Sequence, residues 1–246
     1  MPIPTQVWHG ARQLRVAMAR AREPKEIQDS AGKPGGAVEV PSPREARRQL
    51  RIELSREQIL DTAEQLFSER GYHDTGLKDV GERCEFSVGT IYSLFDSKDS
   101  LYAEVLMRRG RGQIADMRRI AEEDGSPDQR LTAMARLQIV HFRRYPAWGR
   151  LMTRVLTVGV GQETTLPEEF QDAYREAIDL EATLIAEGQD AGVLCAGDPR
   201  ALARLFSALV TAFHAMDPEI SDDAEDFDVD EFLGVIAQTF ARSAAR

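Results

Sequence analysis

Between residues 55 and 101 helix starts and stops follow one another so closely that only short helices fit. Ser55 can cap a first helix, Gln58 three residues on can complete a capping box, and Leu54 can pack on Ile59 as a hydrophobic staple. Ile59, Leu60, Ala63, Leu66 and Phe67 then recur at helical spacing, and Gly71 supplies the left-handed stop. Thr75 can cap a second helix over about 76–84, with Leu77, Val80 and Cys84 on its inner face. Ser87 can cap a third over about 88–95, with Ile91 and Phe95 inward. Only Glu85, Phe86 and Ser87 lie between them, and two short helices joined by about three residues have helix-turn-helix spacing. Ser97 caps a longer helix that begins at Lys98.

The run from Ser87 to Lys98, SVGTIYSLFDSK, resembles the TetR family of bacterial transcriptional regulators, whose pattern there is small-x-Gly-Thr-apolar-Tyr-x-x-Phe-x-x-Lys. Phe67, Gly71 and Thr75 also fall where that family has them, so the resemblance covers residues 55–105. It implies an all-α chain: a three-helix DNA-binding domain followed by a helical domain that binds a ligand and dimerises. It further implies a homodimer on a near-palindromic double-stranded DNA operator, with the third helix in the major groove. A repressor released by a small-molecule effector is the expected activity.

Residue chemistry on the third helix agrees. Its outer face carries Val88, Gly89, Thr90, Tyr92 and Ser93, with no charge between Phe86 and Phe95. Gly89 lets the helix N-terminus approach a phosphate, Thr90 can donate a hydroxyl, and Tyr92 can stack or hydrogen-bond. Lys98 sits at a helix start, where a cation is otherwise slightly unfavourable, and suits a flanking phosphate. By the resemblance, Thr75 and Ser87 are further phosphate candidates. Three positions depart from the family: Leu94 stands where an aromatic or histidine often touches phosphate, Val88 where a polar residue is common, and Glu85 where the turn usually has glycine. Base readout by this helix is therefore expected to be lean.

The formal charge of −10 needs dividing before it says anything about DNA. Residues 1–50 hold nine basic and five acidic residues, residues 51–110 eight and twelve, and residues 111–246 fourteen and twenty-four. The helix-turn-helix block thus lacks a broad basic patch of its own. Arg44, Arg47, Arg48 and Arg51 are the nearest surplus. Ser42-Pro43-Arg44-Glu45 is a second capping box with proline at the first helical position, so a short basic helix can start there. An arginine-rich arm in this place can enter the adjacent minor groove; a solvated linker is the alternative. Farther out, residues 11–22 place Leu14, Met18 and Ala21 on one face among arginines, as a membrane-, DNA- or partner-binding helix or an over-extended gene start would. Residues 30–36 read as linker, and residues 1–22 lack the apolar core of a signal peptide. The expected organisation is a basic extension at 1–43, the DNA-binding domain at 44–100 and the larger helical domain at 101–246.

Beyond Lys98 helical patterns continue, opened at Ser126-Pro127, Pro146, Pro167 and Asp198-Pro199, with the last two helices expected over about 199–216 and 229–243. Met134, His141, Phe142, Tyr145, Trp148, Met152 and Tyr174 are candidates to line an adaptable pocket for an apolar or aromatic effector. Leu202, Phe206, Leu209, Phe213, Phe232, Ile236 and Phe240 exceed what one buried face needs and are candidates for the dimer interface. The four histidines are scattered, the two cysteines lie far apart, and no nucleophile, phosphate-loop or metal-ligand motif is present. No enzyme activity, metal or cofactor is expected, and the compartment is expected to be the cytoplasm. The rival reading is a dimeric interaction protein that uses DNA as a scaffold and binds a protein or membrane.

Overall fold

The computed structural model describes residues 42–157, 166–216 and 228–242. The readings placed on residues 1–41, on the loop at 159–165 and on the acidic loop as far as residue 227 lie outside the described residues. The described helices are α1 (Pro43–Arg70), α2 (Leu77–Cys84), α3 (Val88–Leu94), α4 (Lys98–Glu122), α5 (Pro127–Arg144), α6 (Pro146–Thr157), α7 (Glu168–Asp190), α8 (Pro199–Ala215) and α9 (Val229–Phe240).

The helix expected to begin at Ser55 begins twelve residues earlier. Pro43 occupies the first turn, where its missing N–H costs nothing. From there to Ser55 the chain has neither glycine nor proline to interrupt the helix, so the basic segment and the first motif helix fuse into one rod. Gly71 ends it as expected, in the left-handed region at φ 83°, with its N–H on the Phe67 carbonyl at 2.9 Å.

The start of α2 corrects a second expectation. Gly76, not Thr75, is the N-cap, and the Asp79 carboxylate accepts the Gly76 N–H at 2.8 Å. Thr75 is buried, its hydroxyl donating to the Gly71 carbonyl at 2.8 Å. The turn after α2 is built on Glu85, which adopts φ 61° and ψ 27° without being glycine. Phe86 N–H then reaches the Gly81 carbonyl at 3.0 Å. A Cβ on Gly81 would lie 2.7 Å from the Phe86 carbonyl oxygen, so the tightness of this turn depends on that glycine. Ser87 caps α3 through Thr90 N–H at 3.0 Å, and Ser97 caps α4 through Ser100 N–H at 3.0 Å.

In the second half, the Asp198 carboxylate accepts the Ala201 N–H at 2.7 Å and Pro199 follows in the first turn of α8. Here α7 packs against α4, α5 and α8, while α6 packs against α5 and α8. One hydrophobic cluster runs from Ile59 and Phe67 through Leu101, Leu106 and Trp148 to Phe206 and Phe240. A smaller one holds Ile114, Met117, Ile120, Met134 and Leu184. Both contain residues of α4, so that helix belongs to both halves of the fold and the boundary expected at residue 100 falls inside its first turn. Arg108 of α4 reinforces the join with ion pairs to Glu64 and Asp61 of α1, each at 2.7 Å. None of the described helices is long and apolar enough to cross a membrane.

Candidate nucleic-acid interface and the adjoining cavity

Ile91 and Phe95 bury one face of α3, and the opposite face is left to solvent. Tyr92 is 55% exposed, with Gly89 and Ser93 also exposed and Thr90 half-buried beside them. The Ser87 and Thr90 hydroxyls lie 2.8 Å apart, and Ser93 donates to the Thr90 carbonyl at 2.7 Å. The end of α3 is clamped from α1. Arg56 stacks on the Phe95 ring at 4.3 Å, donates to the Leu94 carbonyl, and pairs with both oxygens of Glu104. A rigid mount for an exposed polar face is what base readout needs.

The remaining expected contacts divide. Lys98 sits 4.1 Å above the Tyr72 ring and reaches the His73 carbonyl at 3.5 Å; burial lowers its pKa. Tyr72 in turn donates to Asp99, and burial pushes its hydroxyl up to about 12. Lys98 is thus a positioned cation rather than a loose one. Thr75, at 1% exposure, cannot reach a phosphate. Val88 is half-buried against the core, which leaves it little surface to offer a base. Arg44, Arg47, Arg48 and Arg51 are all exposed, but on a helix. A helix is about 10–12 Å wide and a minor groove about 6 Å, so this segment cannot act as the extended minor-groove arm anticipated from sequence. It can reach the outer phosphates.

Behind the interface, α4, α5, α6, α7 and α8 line a narrow, half-open cavity of about 70 Å³. Of the expected pocket residues, Phe142, Trp148, Met152 and Tyr174 line it. Met134 is buried in the smaller cluster instead, and His141 and Tyr145 pack at the rim of the α5–α6 corner, ring against ring at 5.0 Å. Burial lowers the His141 pKa. Trp148 ties the cavity to α4, its indole N–H donating to the Leu106 carbonyl at 3.0 Å. On the α7–α8 side, sequence reasoning missed a polar group. Glu181 is fully buried, and its carboxylate accepts from Gln138 at 3.0 Å and Ser207 at 2.7 Å, both of which line the cavity. The available signal was a charged residue at a core position of α7, in register with Tyr174, Ile178 and Ile185.

The structure turns five of the candidate dimer residues inward. Phe206, Phe213, Phe232, Ile236 and Phe240 are all buried within one chain, Phe206 against Phe240 edge-on at 5.7 Å and Phe213 stacked on Phe232 at 4.3 Å. They are core. Leu202 and Leu209 are half-buried. The apolar surface left outward on α8 and α9 is Leu205 and Val235, each 48% exposed, with small residues Ala201, Ala208, Ala212 and Gly234 around them.

Residues 59–105 match the family model for bacterial regulatory proteins of the tetR family. The transcriptional regulator RutR of Escherichia coli K12 is 26% identical over 174 residues, covering 71% of this chain and 80% of RutR. UidR of the same strain, also a helix-turn-helix transcriptional regulator, is 31% identical over 70 residues, covering 28% of this chain and 36% of UidR. Among solved structures, the ketosteroid transcriptional regulator KstR2 of Mycobacterium tuberculosis superposes with a TM-score of 0.64 over 77% of this chain and 96% of its own, at 15% identity. Residues 59–105 thus carry the DNA-binding domain of the tetR family of bacterial regulatory proteins, and the chain as a whole is similar in sequence to RutR and in fold to KstR2.

Proposed function

We propose that the chain is a homodimeric repressor that holds a near-palindromic operator through α3 and releases it when a small apolar or aromatic effector enters the cavity beside Trp148. The observation that carries this reading is the double duty of α4. It follows α3 after only Phe95, Asp96 and Ser97, its first turn holds Lys98 over the Tyr72 ring, and three turns later Gly110, Gln113 and Ile114 form a cavity wall. A ligand that fills this narrow cavity would press on α4 and α6, which both form parts of its wall. Arg56–Glu104 and Arg108–Glu64 would pass a displacement of α4 to α1 and α3. Release then follows if the ligand binds the displaced state more tightly than the operator-bound one. The dimer would form on the outward faces of α8 and α9, where Leu205 and Val235 lie among small side chains that permit close approach.

The test has two steps. Selection of genomic fragments by the purified protein should enrich sites with two-fold symmetry, and those sites then serve as probes for release by small molecules in fluorescence anisotropy. Failure to enrich any sequence would remove the operator reading. Enrichment without two-fold symmetry would remove the dimeric one.

A further inference from the structure

Glu181 is 0% exposed, and among the described residues no cation pairs with it. A buried carboxylate is ordinarily paired, metal-bound or neutral. Here its hydrogen-bond partners among the described residues are the Gln138 amide and the Ser207 hydroxyl, and both of those side chains also line the cavity. Aromatic rings of Phe142, Trp148, Phe170 and Tyr174 form much of the remaining wall. A buried acid behind two small neutral donors, beside a box of π faces, is a complete recognition set for one ligand charge. Resting on the reading of this cavity as the effector site, we infer that the effector is an organic cation, an apolar or aromatic body with an ammonium head that seats at Gln138 and Ser207 against Glu181.

Binding of such a cation conserves the charge of the interior. Burial raises the Glu181 carboxyl to about 8, so without a ligand a proton takes the place of the missing cation. When the ammonium arrives, that proton leaves to solvent and the cation replaces it. The Ser207 hydroxyl and the Gln138 carbonyl can each turn to accept from an ammonium N–H, and the ring faces attract the same charge. A carboxylate effector would be buried with no counter-charge, and a neutral one would leave Glu181 protonated and unused.

Three ligands of one shape separate these cases: 2-phenylethylammonium, 2-phenylethanol and 3-phenylpropanoate, titrated calorimetrically into the full chain at pH 7. The expected order is ammonium first, by about tenfold or more over the alcohol, with the carboxylate weakest. In Glu181→Gln the gap between ammonium and alcohol should close. Trimethyl(2-phenylethyl)ammonium, which has no proton of its own to lose, should release close to one proton per molecule bound to the unmodified chain. That measurement decides the matter should the variant fail to fold. If the alcohol or the carboxylate binds best, or if Glu181→Gln keeps the preference, the cavity is a ligand site but the cation inference is overturned. If none of the four binds, the effector reading of the cavity falls with it.

Discussion

Arg108 and Glu64 meet at 2.7 Å with 9% and 8% of their side chains exposed, so the join between α4 and α1 is made by a nearly dry ion pair. Asp61 also lies 2.7 Å from Arg108, but it is well exposed and holds the guanidinium from the solvent side. Among the described residues, Arg108→Ala would leave the Glu64 carboxylate with Arg109, at 3.8 Å, to pair with. Removing one partner of a buried pair typically costs about 3–5 kcal/mol, and residual pairing with Arg109 places this case near the lower end. Urea unfolding at fixed protein concentration measures it. A loss below about 1 kcal/mol would show the pair behaving as an exposed one, and α4 would not be rigidly coupled to α1.

The reading surface gives the second prediction. Tyr92 is the largest exposed side chain on α3, and the buried face of that helix is held by Ile91 and Phe95 without it. Tyr92→Ala should weaken binding to the enriched operator by about 1–3 kcal/mol, with helicity and salt dependence unchanged, because no charge facing a phosphate is removed. Anisotropy titrations at two salt concentrations check both halves. Normal affinity in the variant would move the reading face off α3.

How much of the fold and site was legible in the sequence depended on whether the signal was local. The caps at Ser87, Ser97 and Asp198 and the stop at Gly71 could be read directly, because each rests on a few adjacent residues. So could the helix-turn-helix and its family. Ser55 misled because a good capping residue inside an unbroken helical stretch has no helix end to cap. Glu85 was the opposite case: the turn forms without its usual glycine because Gly81, four residues earlier, supplies the space. Five of the α8 and α9 interface candidates, Phe206, Phe213, Phe232, Ile236 and Phe240, turn inward for a tertiary reason. Periodicity marks an apolar face, but it cannot say whether that face meets the same chain or another one. Glu181 was overlooked because its partners, Gln138 and Ser207, lie 43 positions before it and 26 after it.

The inward turn of Phe206 produces the third prediction. Phe206 is fully buried, so Phe206→Glu should unfold the chain rather than dissociate it. Leu205 and Val235 lie on the outward face, and Leu205→Glu with Val235→Glu should leave a folded, helical monomer, since the carboxylates are solvated once the partner is gone. In a dimer the same carboxylates would cost several kcal/mol. Sedimentation velocity with circular dichroism distinguishes the outcomes. A dimer that survives the outward pair of substitutions would place the two-fold elsewhere.

Stability should depend on pH through Glu181. Its carboxyl is raised from 4.5 to about 8, chiefly by burial, against the smaller opposing pull of Ser207 and Gln138; the Tyr174 hydroxyl, itself pushed up by burial, and Arg204 are other titratable groups on this side of the cavity. The folded chain therefore keeps a proton that the unfolded chain gives up near 4.5. The stabilisation is complete below that value and drains away as the pH climbs through about 8, at up to about 1.4 kcal/mol per unit. Glu181→Gln should lack this slope, so the variant should gain on the parent steadily between pH 5 and pH 8. Urea midpoints at four pH values measure the difference. Parallel curves would mean that Glu181 ionises inside the fold at no cost.

The last prediction concerns the overhanging start of α1. Residues 43–58 contain no buried side chain, so about four helical turns, roughly 24 Å, precede the first core residue, Ile59. On that rod Arg44, Arg47, Arg48 and Arg51 follow at intervals of three, one and three residues, which puts all four in a single stripe along one side. The helix-turn-helix block is acidic and the exposed face of α3 is uncharged, so this stripe would supply much of the phosphate neutralisation, with Lys98 and the exposed Lys78 of α2 beside it. Replacing the four arginines with alanine preserves helix propensity and removes only charge. Operator affinity should fall, and the slope of log K against log salt should flatten by roughly 0.9 for each phosphate that is no longer neutralised. Because a helix of this width lies outside the minor groove, random DNA should lose affinity in the same proportion as operator. If affinity falls for the operator alone, the arginines read sequence after all. If neither the affinity nor the slope changes, the stripe faces away from the duplex, and Lys78, Lys98 and the α3 hydroxyls hold the phosphates without it.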